Sequence, residues 1–174
     1  MNDIPLKAEL TSEAYQALFA LTMDALPHEA CGVLTGHRQP GHGLAGHRLA
    51  EIGSPAPAQA AADVLRVTGV LPVKNAAARP ETQFAFDPHD WVRAVYDMQK
   101  NRQSLVGFFH SHPGSPPVPS KADHAGFPFA AVEHGSGTSY WILSPDALGR
   151  TLAIRTYWVR GESFLPLMLA QIRV

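Results

Sequence analysis

The chain has 174 residues, of which 45% are hydrophobic and 17% are charged, and its formal net charge is −1. This length and composition predict a single globular domain over residues 1–174, and the small charge argues against a broad basic surface for nucleic acid or anionic membranes. The single cysteine, Cys31, rules out an internal disulfide framework. The N-terminus lacks a signal-peptide pattern and no apolar stretch approaches the length of a membrane span. We therefore expect a cytoplasmic protein.

The first part of the chain predicts a helix, a strand and an insertion. Thr11 to Ala25 has a helical pattern, with Thr11 as the N-cap. Cys31 to Thr35 is apolar and is predicted to be a short buried strand. Residues 37–63 are rich in Gly, Pro, Ala and His, which predicts a flexible insertion, with a short strand possible only at about residues 47–52.

The middle of the chain predicts a further strand and a second helix. Val64 to Asn75 is rich in β-branched residues, and Gly69 and Pro72 within it indicate a bulge or an edge. Asp87 and Pro88 are a cap and a first helical residue, which predicts a helix running to about Asn101.

Two apolar patterns surround the start of this second helix. Residues 82–86 alternate, which places Phe84 and Phe86 on one face. Trp91, Val95 and Met98 form the apolar stripe of the helix, at spacings of four and three. We expect all of these side chains to pack in the core.

The last part of the chain predicts mostly strands. Apolar runs indicate strands at Leu105–Phe109, Ser139–Leu143 and Thr151–Val159, and Ser163–Val174 is either a strand or a helix. A short helix is expected around and after Asp123. The order of elements predicts a mixed sheet with two main helices, an α/β or α+β fold.

Two histidines follow the apolar strand that begins at Leu105. His110 and His112 are two residues apart, so both imidazoles face the same side if the strand persists to His112. Two neutral imidazoles and a carboxylate suit a zinc ion, with a fourth position left for water, and Asp123 is the candidate carboxylate. Ser120 and Asp123 also have the spacing of a helix capping box, and capping and ligation are compatible.

A hydrolytic metal site also needs a base beside the metal-bound water. Glu29 is the best placed candidate because it directly precedes the buried strand at Cys31. Spacing alone does not separate Glu29 firmly from Glu81 or Glu133. A nucleophilic role for Cys31 is disfavoured, because a thiol in an apolar strand is usually buried and inert.

The sequence resembles a known family. His-x-His-Pro followed by Ser-x-x-Asp, with seven residues between His112 and Ser120, is similar to the JAMM motif of the zinc metallopeptidases built on the MPN domain. The segment from Pro27 to Gly36 resembles the part of that family that carries its catalytic glutamate. Further segments resemble short bacterial and archaeal members: residues 72–75, 84–88 and 140–144. The resemblance implies an MPN-type central mixed sheet, partly barrel-like and similar to cytidine deaminases.

The resemblance also implies a role for each candidate residue. His110, His112 and Asp123 would bind one zinc ion per chain. Glu29 would be the general base that activates the zinc-bound water and later protonates the leaving amine. Ser120 would donate a hydrogen bond to the oxyanion of the tetrahedral intermediate. Asn75 would line the cleft, although a structural turn residue at the end of a strand is an equal alternative.

The family cleaves amide bonds after the C-terminal Gly-Gly tail of ubiquitin or ubiquitin-like proteins, and its short bacterial members resemble peptidases that act on sulfur-carrier proteins. The resemblance therefore implies such a carrier as partner, with its tail entering beside the cleft as an added strand. Residues 37–63 and 76–82 are candidates for gripping the carrier. The sequence leaves the oligomeric state open.

Two other classes of protein remain as alternatives. A zinc deaminase needs a Pro-Cys-x-x-Cys segment, and a single cysteine argues against it. A non-catalytic MPN-type interaction module usually lacks the histidines, the serine or the aspartate, and all of these are present here.

Overall fold

The computed structural model describes residues 5, 7–39, 63–126 and 137–173. These residues form seven strands and three helices, in the chain order β1 (Lys7–Thr11), α1 (Ser12–Ala25), β2 (Cys31–Gln39), β3 (Val64–Pro72), α2 (Pro88–Lys100), β4 (Ser104–Ser111), α3 (Lys121–Gly126), β5 (Thr138–Pro145), β6 (Leu152–Arg160) and β7 (Ser163–Ile172). No helix in the described ranges is long and apolar enough to cross a membrane.

The strands form one mixed sheet in the order β1-β3-β2-β4-β5-β6-β7. The sheet closes into a barrel because β7 pairs in parallel with β1. This confirms the expected mixed fold with two main helices, and the closure is complete where a partial barrel was expected. The expected similarity to cytidine deaminases stays a prediction.

Both main helices begin where their sequence signals placed them. Thr11 accepts a hydrogen bond from the amide of Ala14 at 3.3 Å and caps α1. Asp87 accepts hydrogen bonds from the amides of His89 and Asp90 and caps α2. These side chains satisfy amides that have no partner within the first turn of a helix.

Strand β1 was not expected from the sequence. It has only five residues, and it pairs in parallel with β3 on one side and β7 on the other. Glu9 lies on the face opposite Ala8 and Leu10, where it forms ion pairs with Lys7 and Arg66 at 2.8 Å. Because the strand depends on partners distant in the sequence, its short local pattern did not reveal it.

The predicted boundary of the insertion at residue 37 was wrong. Strand β2 continues to Gln39, and residues 37–39 pair with residues 64–66 of β3. This end of the strand is polar, and Arg38 forms an ion pair of 2.7 Å with Asp63, so it lacks the apolar signal of a strand. Residues 40–62, including the strand considered at 47–52, lie outside the described residues.

The other strand predictions are largely confirmed. Strand β3 ends at Pro72, three residues before the predicted end at Asn75. Its pairing with β2 skips Thr68, so the irregularity lies beside Gly69, where a bulge was predicted. The C-terminal segment is a strand, β7, which settles the choice left open between strand and helix.

The core consists of two buried clusters on the two faces of the sheet. Helix α1 packs on the cluster that contains Phe109 and Trp141. Helix α2 packs on the other cluster, which contains Phe108 and Tyr140, and its stripe is the predicted Trp91, Val95 and Met98. Side chains alternate along β4. His110 therefore points to the same side as Phe108, towards the cluster beneath α2.

Candidate metal centre

The two histidines lie at the end of β4, in the middle of the sheet. His110 is the next to last residue of the strand, paired with Cys31 of β2 and Ile142 of β5. His112 lies one residue beyond the strand, but its amide donates to the carbonyl of Leu143 at 2.7 Å, which continues the pairing with β5. Both imidazoles therefore face the same side, as predicted, and their Nε2 atoms are 2.8 Å apart.

Helix α3 brings a carboxylate to the same point. Asp123 Oδ1 lies 2.8 Å from the Nε2 of His110, and Asp123 Oδ2 lies 3.5 Å from the Nε2 of His112. All three side chains are buried, and their ligand atoms lie within 4.8 Å of one another. Two imidazoles and one carboxylate in this arrangement form a donor set that is able to bind a metal ion.

The predicted capping box forms at the start of α3 and orients this carboxylate. The amide of Asp123 donates to the hydroxyl of Ser120 at 3.2 Å, and the amide of Ser120 donates to Asp123 Oδ2. The same carboxylate thus caps the helix and faces the histidines. Because the Ser120 hydroxyl acts as the acceptor in this box, its own proton stays available for a further hydrogen bond.

The ring orientation of His112 is set by a neighbouring carbonyl. The Nδ1 of His112 lies 2.9 Å from the carbonyl oxygen of Pro116, in the loop that follows the histidines. A carbonyl can only accept, so Nδ1 carries the proton and Nε2 is left to face the cluster. A backbone carbonyl in this position is a common support for a metal-binding histidine.

Glu29 is fixed beside this cluster through its backbone. The neighbouring residue Ala30 donates from its amide to the hydroxyl of Ser111 at 2.8 Å and accepts from the amide of Ser111 at 2.9 Å. Ser111 lies between the two histidines, so this reciprocal pair joins the Glu29 segment directly to them. The amide of Glu29 donates to Pro80 at 2.7 Å, which attaches the segment to the loop over residues 76–86.

Glu29 is only 6% exposed, and its carboxyl interacts electrostatically with His112 and Asp123. Burial raises the pKa of Glu29 to about 7, with the charge of Asp123 adding to this rise and His112 opposing it. A carboxyl with a pKa near neutrality is able to both accept and donate a proton at physiological pH.

The pKa of Asp123 is shifted in the opposite direction to that of Glu29. Burial alone would raise its pKa, but the neighbouring His110 and His112 and the backbone amide of Ser120 outweigh this effect and hold the pKa of Asp123 well below its usual range. Asp123 is therefore ionised at neutral pH, whereas the carboxyl of Glu29 is able to take up or release a proton there. Two carboxyls in one site thus have environments that separate their pKa values.

The other candidate bases, Glu81 and Glu133, and the candidate nucleophile, Cys31, have less support from the structure than Glu29. Glu81 is exposed and lies 3.7 Å from His28 at the surface, and Glu133 lies outside the described residues. Cys31 is buried, and its thiol donates to the carbonyl of Val73 at 3.3 Å. Burial, with a contribution from Glu29, raises the pKa of Cys31 to about 12, which disfavours the thiolate that a nucleophile requires.

The side chain of Asn75 forms several hydrogen bonds at the border of the site. Its side-chain amide donates to the carbonyls of Glu29 at 3.0 Å and Gln83 at 2.9 Å, and its Oδ1 accepts from the amides of Ala77 and Ala85. It also lines a cavity of about 440 Å³ that reaches Glu29. Of the two roles left open by the sequence, these contacts show the structural one, in which Asn75 organises the loop that follows β3. A role for Asn75 in lining the substrate cleft stays a prediction.

The sequence analysis missed three residues that support the cluster. Ser111 was passed over because it points away from the histidines, and Pro116 acts through its backbone carbonyl, which no side-chain pattern reports. Phe84 was assigned to the core; its ring does pack there, but it also stacks on the imidazole of His110. The alternation of Phe84 and Phe86 is the sequence feature that could have indicated this contact with His110.

Comparison with known proteins agrees with this fold and site. The family described as prokaryotic homologs of the JAB domain matches residues 11–157, and the chain belongs to this family. The JAMM/MPN resemblance read from the sequence is thereby confirmed.

The chain is similar to three curated proteins. It is 33% identical over 146 residues to a desampylase of Haloferax volcanii, covering 83% of this chain and 78% of that protein. A desampylase of Pyrococcus furiosus is 31% identical over 84 residues, covering 45% of this chain and 59% of that protein. A probable TtuB-protein conjugate cleaving protease of Thermus thermophilus is 33% identical over 57 residues, covering 33% and 38%.

The fold also resembles a solved structure. The solution structure of a protein from Desulfitobacterium hafniense superposes with a TM-score of 0.68 at 26% identity, covering 96% of this chain and 94% of that one. The barrel and its helices are therefore an arrangement found in another protein over nearly its whole length.

Proposed function

We propose that this protein is a zinc-dependent metallopeptidase that hydrolyses the amide bond after the C-terminal Gly-Gly of a ubiquitin-like or sulfur-carrier protein. The observation that carries the proposal is the convergence of the buried His110, His112 and Asp123 with the buried Glu29 beside them. The names of three relatives support the substrate class, since two are desampylases and one is a probable conjugate-cleaving protease.

His110, His112 and Asp123 would hold one zinc ion per chain. An ion bound there would supply Lewis-acid chemistry, by lowering the pKa of water towards neutrality and polarising the scissile carbonyl. The cluster fits this ion, because it offers two nitrogen ligands and one ionised carboxylate in a buried setting.

The residues around the cluster would carry the proton transfers. Glu29 takes a proton from the attacking water and delivers it to the nitrogen of the leaving amine, a cycle for which a pKa of about 7 is suited. The Ser120 hydroxyl donates a hydrogen bond to the oxygen that becomes negatively charged in the transition state. Its acceptor role in the capping box leaves that proton available.

The loop over residues 76–86 is a candidate wall for the carrier's tail. The carbonyl of Pro80 in this loop accepts a hydrogen bond from the amide of Glu29. Glu81, also in the loop, lies 3.7 Å from His28. Glycines in the tail would permit close approach of the backbone to the cluster, because they carry no side chain. Cleavage assays with different carriers identify which of them is the substrate.

The experiment is to incubate the purified protein with ubiquitin-like and sulfur-carrier proteins extended past their Gly-Gly ends, and to identify the products by mass spectrometry. We expect cleavage directly after Gly-Gly, loss of cleavage after chelation, and restoration by zinc. The variant His112→Ala is expected to contain no zinc, while His89→Ala, which changes an exposed histidine at the start of α2, retains it. A wild-type protein that binds no zinc and cleaves no carrier would instead indicate a non-catalytic interaction module.

A further inference from the structure

His110 is held in a different way from His112. Its side chain is completely buried, and its Nδ1 has no hydrogen-bond partner among the described residues. Two aromatic rings stack against the imidazole instead. The ring of Phe84 lies 4.6 Å from it, centroid to centroid, at an interplanar angle of 23°, and the ring of Tyr140 lies at 5.2 Å and 29°.

The orientation of a ligating imidazole determines where its lone pair points. Metal-binding histidines are usually oriented by a hydrogen bond from the ring nitrogen that does not bind the metal. His112 has this support from Pro116. For His110 the described residues provide stacked rings in its place, and a flat aromatic face restricts the tilt of an imidazole that lies against it.

We propose that Phe84 is a positioning residue for the metal centre. Its ring, together with that of Tyr140, fixes the plane of the His110 imidazole, so that Nε2 stays directed at His112 and Asp123. The inference rests on the proposed zinc site and deepens it, because it assigns the support of one ligand to a residue of the loop over 76–86.

The segment that carries Phe84 is fixed by contacts of its neighbouring residues. Asn75 accepts a hydrogen bond from the amide of Ala85 at 3.1 Å and forms an isolated bridge with Phe86. The ring of Phe86 lies 5.9 Å from that of Phe84 and packs in turn on Trp91 and Phe108. The aromatic series thus links the centre to α2 and the core beneath it.

Phe86 provides a matched control, because it belongs to the same series but has no ring contact with His110 among the described residues. The variants Phe84→Leu and Phe86→Leu each remove one ring of similar size. Zinc affinity is measured by competition with a chromophoric chelator, and the visible spectrum of the cobalt(II) form reports the geometry of the ligands. Thermal unfolding without metal reports the effect on the fold.

We expect Phe84→Leu to weaken zinc binding about 10- to 100-fold, the usual effect of losing a group that orients a ligand, and to alter the cobalt spectrum. Phe84→Tyr should restore both. Phe86→Leu leaves the ring on His110 in place and should weaken zinc binding clearly less than Phe84→Leu. Phe84→Met serves as a second variant if Phe84→Leu does not fold.

Three results would overturn the inference. One is an unchanged affinity and spectrum in both Phe84→Leu and Phe84→Met. Another is an equal loss of affinity in Phe84→Leu and Phe86→Leu, which would indicate general loosening of the core. Absence of zinc binding by the wild type would overturn the proposed function as well, and the wild-type titration distinguishes this case from the other two.

Discussion

The side-chain amide of Asn75 donates a hydrogen bond of 3.0 Å to the backbone carbonyl of Glu29. The same side chain binds the backbone of the loop over residues 76–86 at several points. One residue therefore couples the position of the proposed base to the loop that carries Phe84.

Replacing Asn75 with Ala should lower turnover by about tenfold or more, because Glu29 loses its support and small displacements of a catalytic group are costly. We also expect a loss of about 1–3 kcal/mol of unfolding free energy from the unpaired carbonyls and amides. Zinc content, carrier cleavage and thermal unfolding are the measurements. Asn101→Ala is the control, since the side-chain amide of Asn101 donates to the carbonyl of Asp97 at the exposed end of α2. Equal activity in the two variants would contradict the prediction.

Glu29→Gln should retain zinc but lose about two to four orders of magnitude in turnover, the usual contribution of a general base. The amide keeps the size of the side chain and removes its ability to accept the proton. Carrier cleavage and metal content are measured together. Glu81→Gln is the matched control, because that carboxyl is exposed and lies at the surface beside His28. Full activity in Glu29→Gln would refute the assignment of the base.

The stability of the metal-free protein should depend on pH through Glu29. Its pKa rises from 4.5 in the unfolded chain to about 7 in the fold, so folding takes up a proton between these values. The folded state therefore loses stability as the pH rises through this window. In Glu29→Gln this loss is absent, and above pH 7 the variant should exceed the wild type by about 1–3 kcal/mol.

Thermal unfolding in the presence of a chelator, from pH 4.5 to pH 8, tests this expectation. The gap between Glu29→Gln and the wild type should be largest at pH 8 and nearly gone at pH 4.5, where the folded carboxyl is neutral and the unfolded one is half protonated. Asp123 and His112 are present in both proteins, so the difference reports Glu29 together with its charge interactions with these two residues. A gap that does not change with pH would show that the fold does not raise the pKa of Glu29.

Ser120→Ala should lower turnover by about two to three orders of magnitude, as does the loss of other oxyanion donors, with zinc content largely kept. The same change also removes a helix cap worth about 1 kcal/mol, which appears in thermal unfolding and not in the rate. Ser120→Thr keeps both the hydroxyl and the cap and should restore activity in part or in full. Unchanged turnover in Ser120→Ala would leave Ser120 with the capping role alone.

Local sequence patterns predicted the elements that depend on local interactions. The caps at Thr11 and Asp87 fixed the starts of both main helices, because capping is settled within four residues. The spacing of His110 and His112 placed both imidazoles on one side, because the side chains of a strand repeat every two residues. The motif that joins them to Ser120 and Asp123 also identified the family.

The tertiary structure decided what depends on residues distant in the sequence. Strand β1 exists because it pairs with β3 and β7. As the proposed base, Glu29 is favoured over Glu81 by its burial and by the link between Ala30 and Ser111. The stacking of Phe84 on His110 joins residues 26 positions apart on different elements. Chain spacing determines which side chains can bind a metal, whereas the packing of distant segments determines which groups surround them, and so their pKa values and orientation.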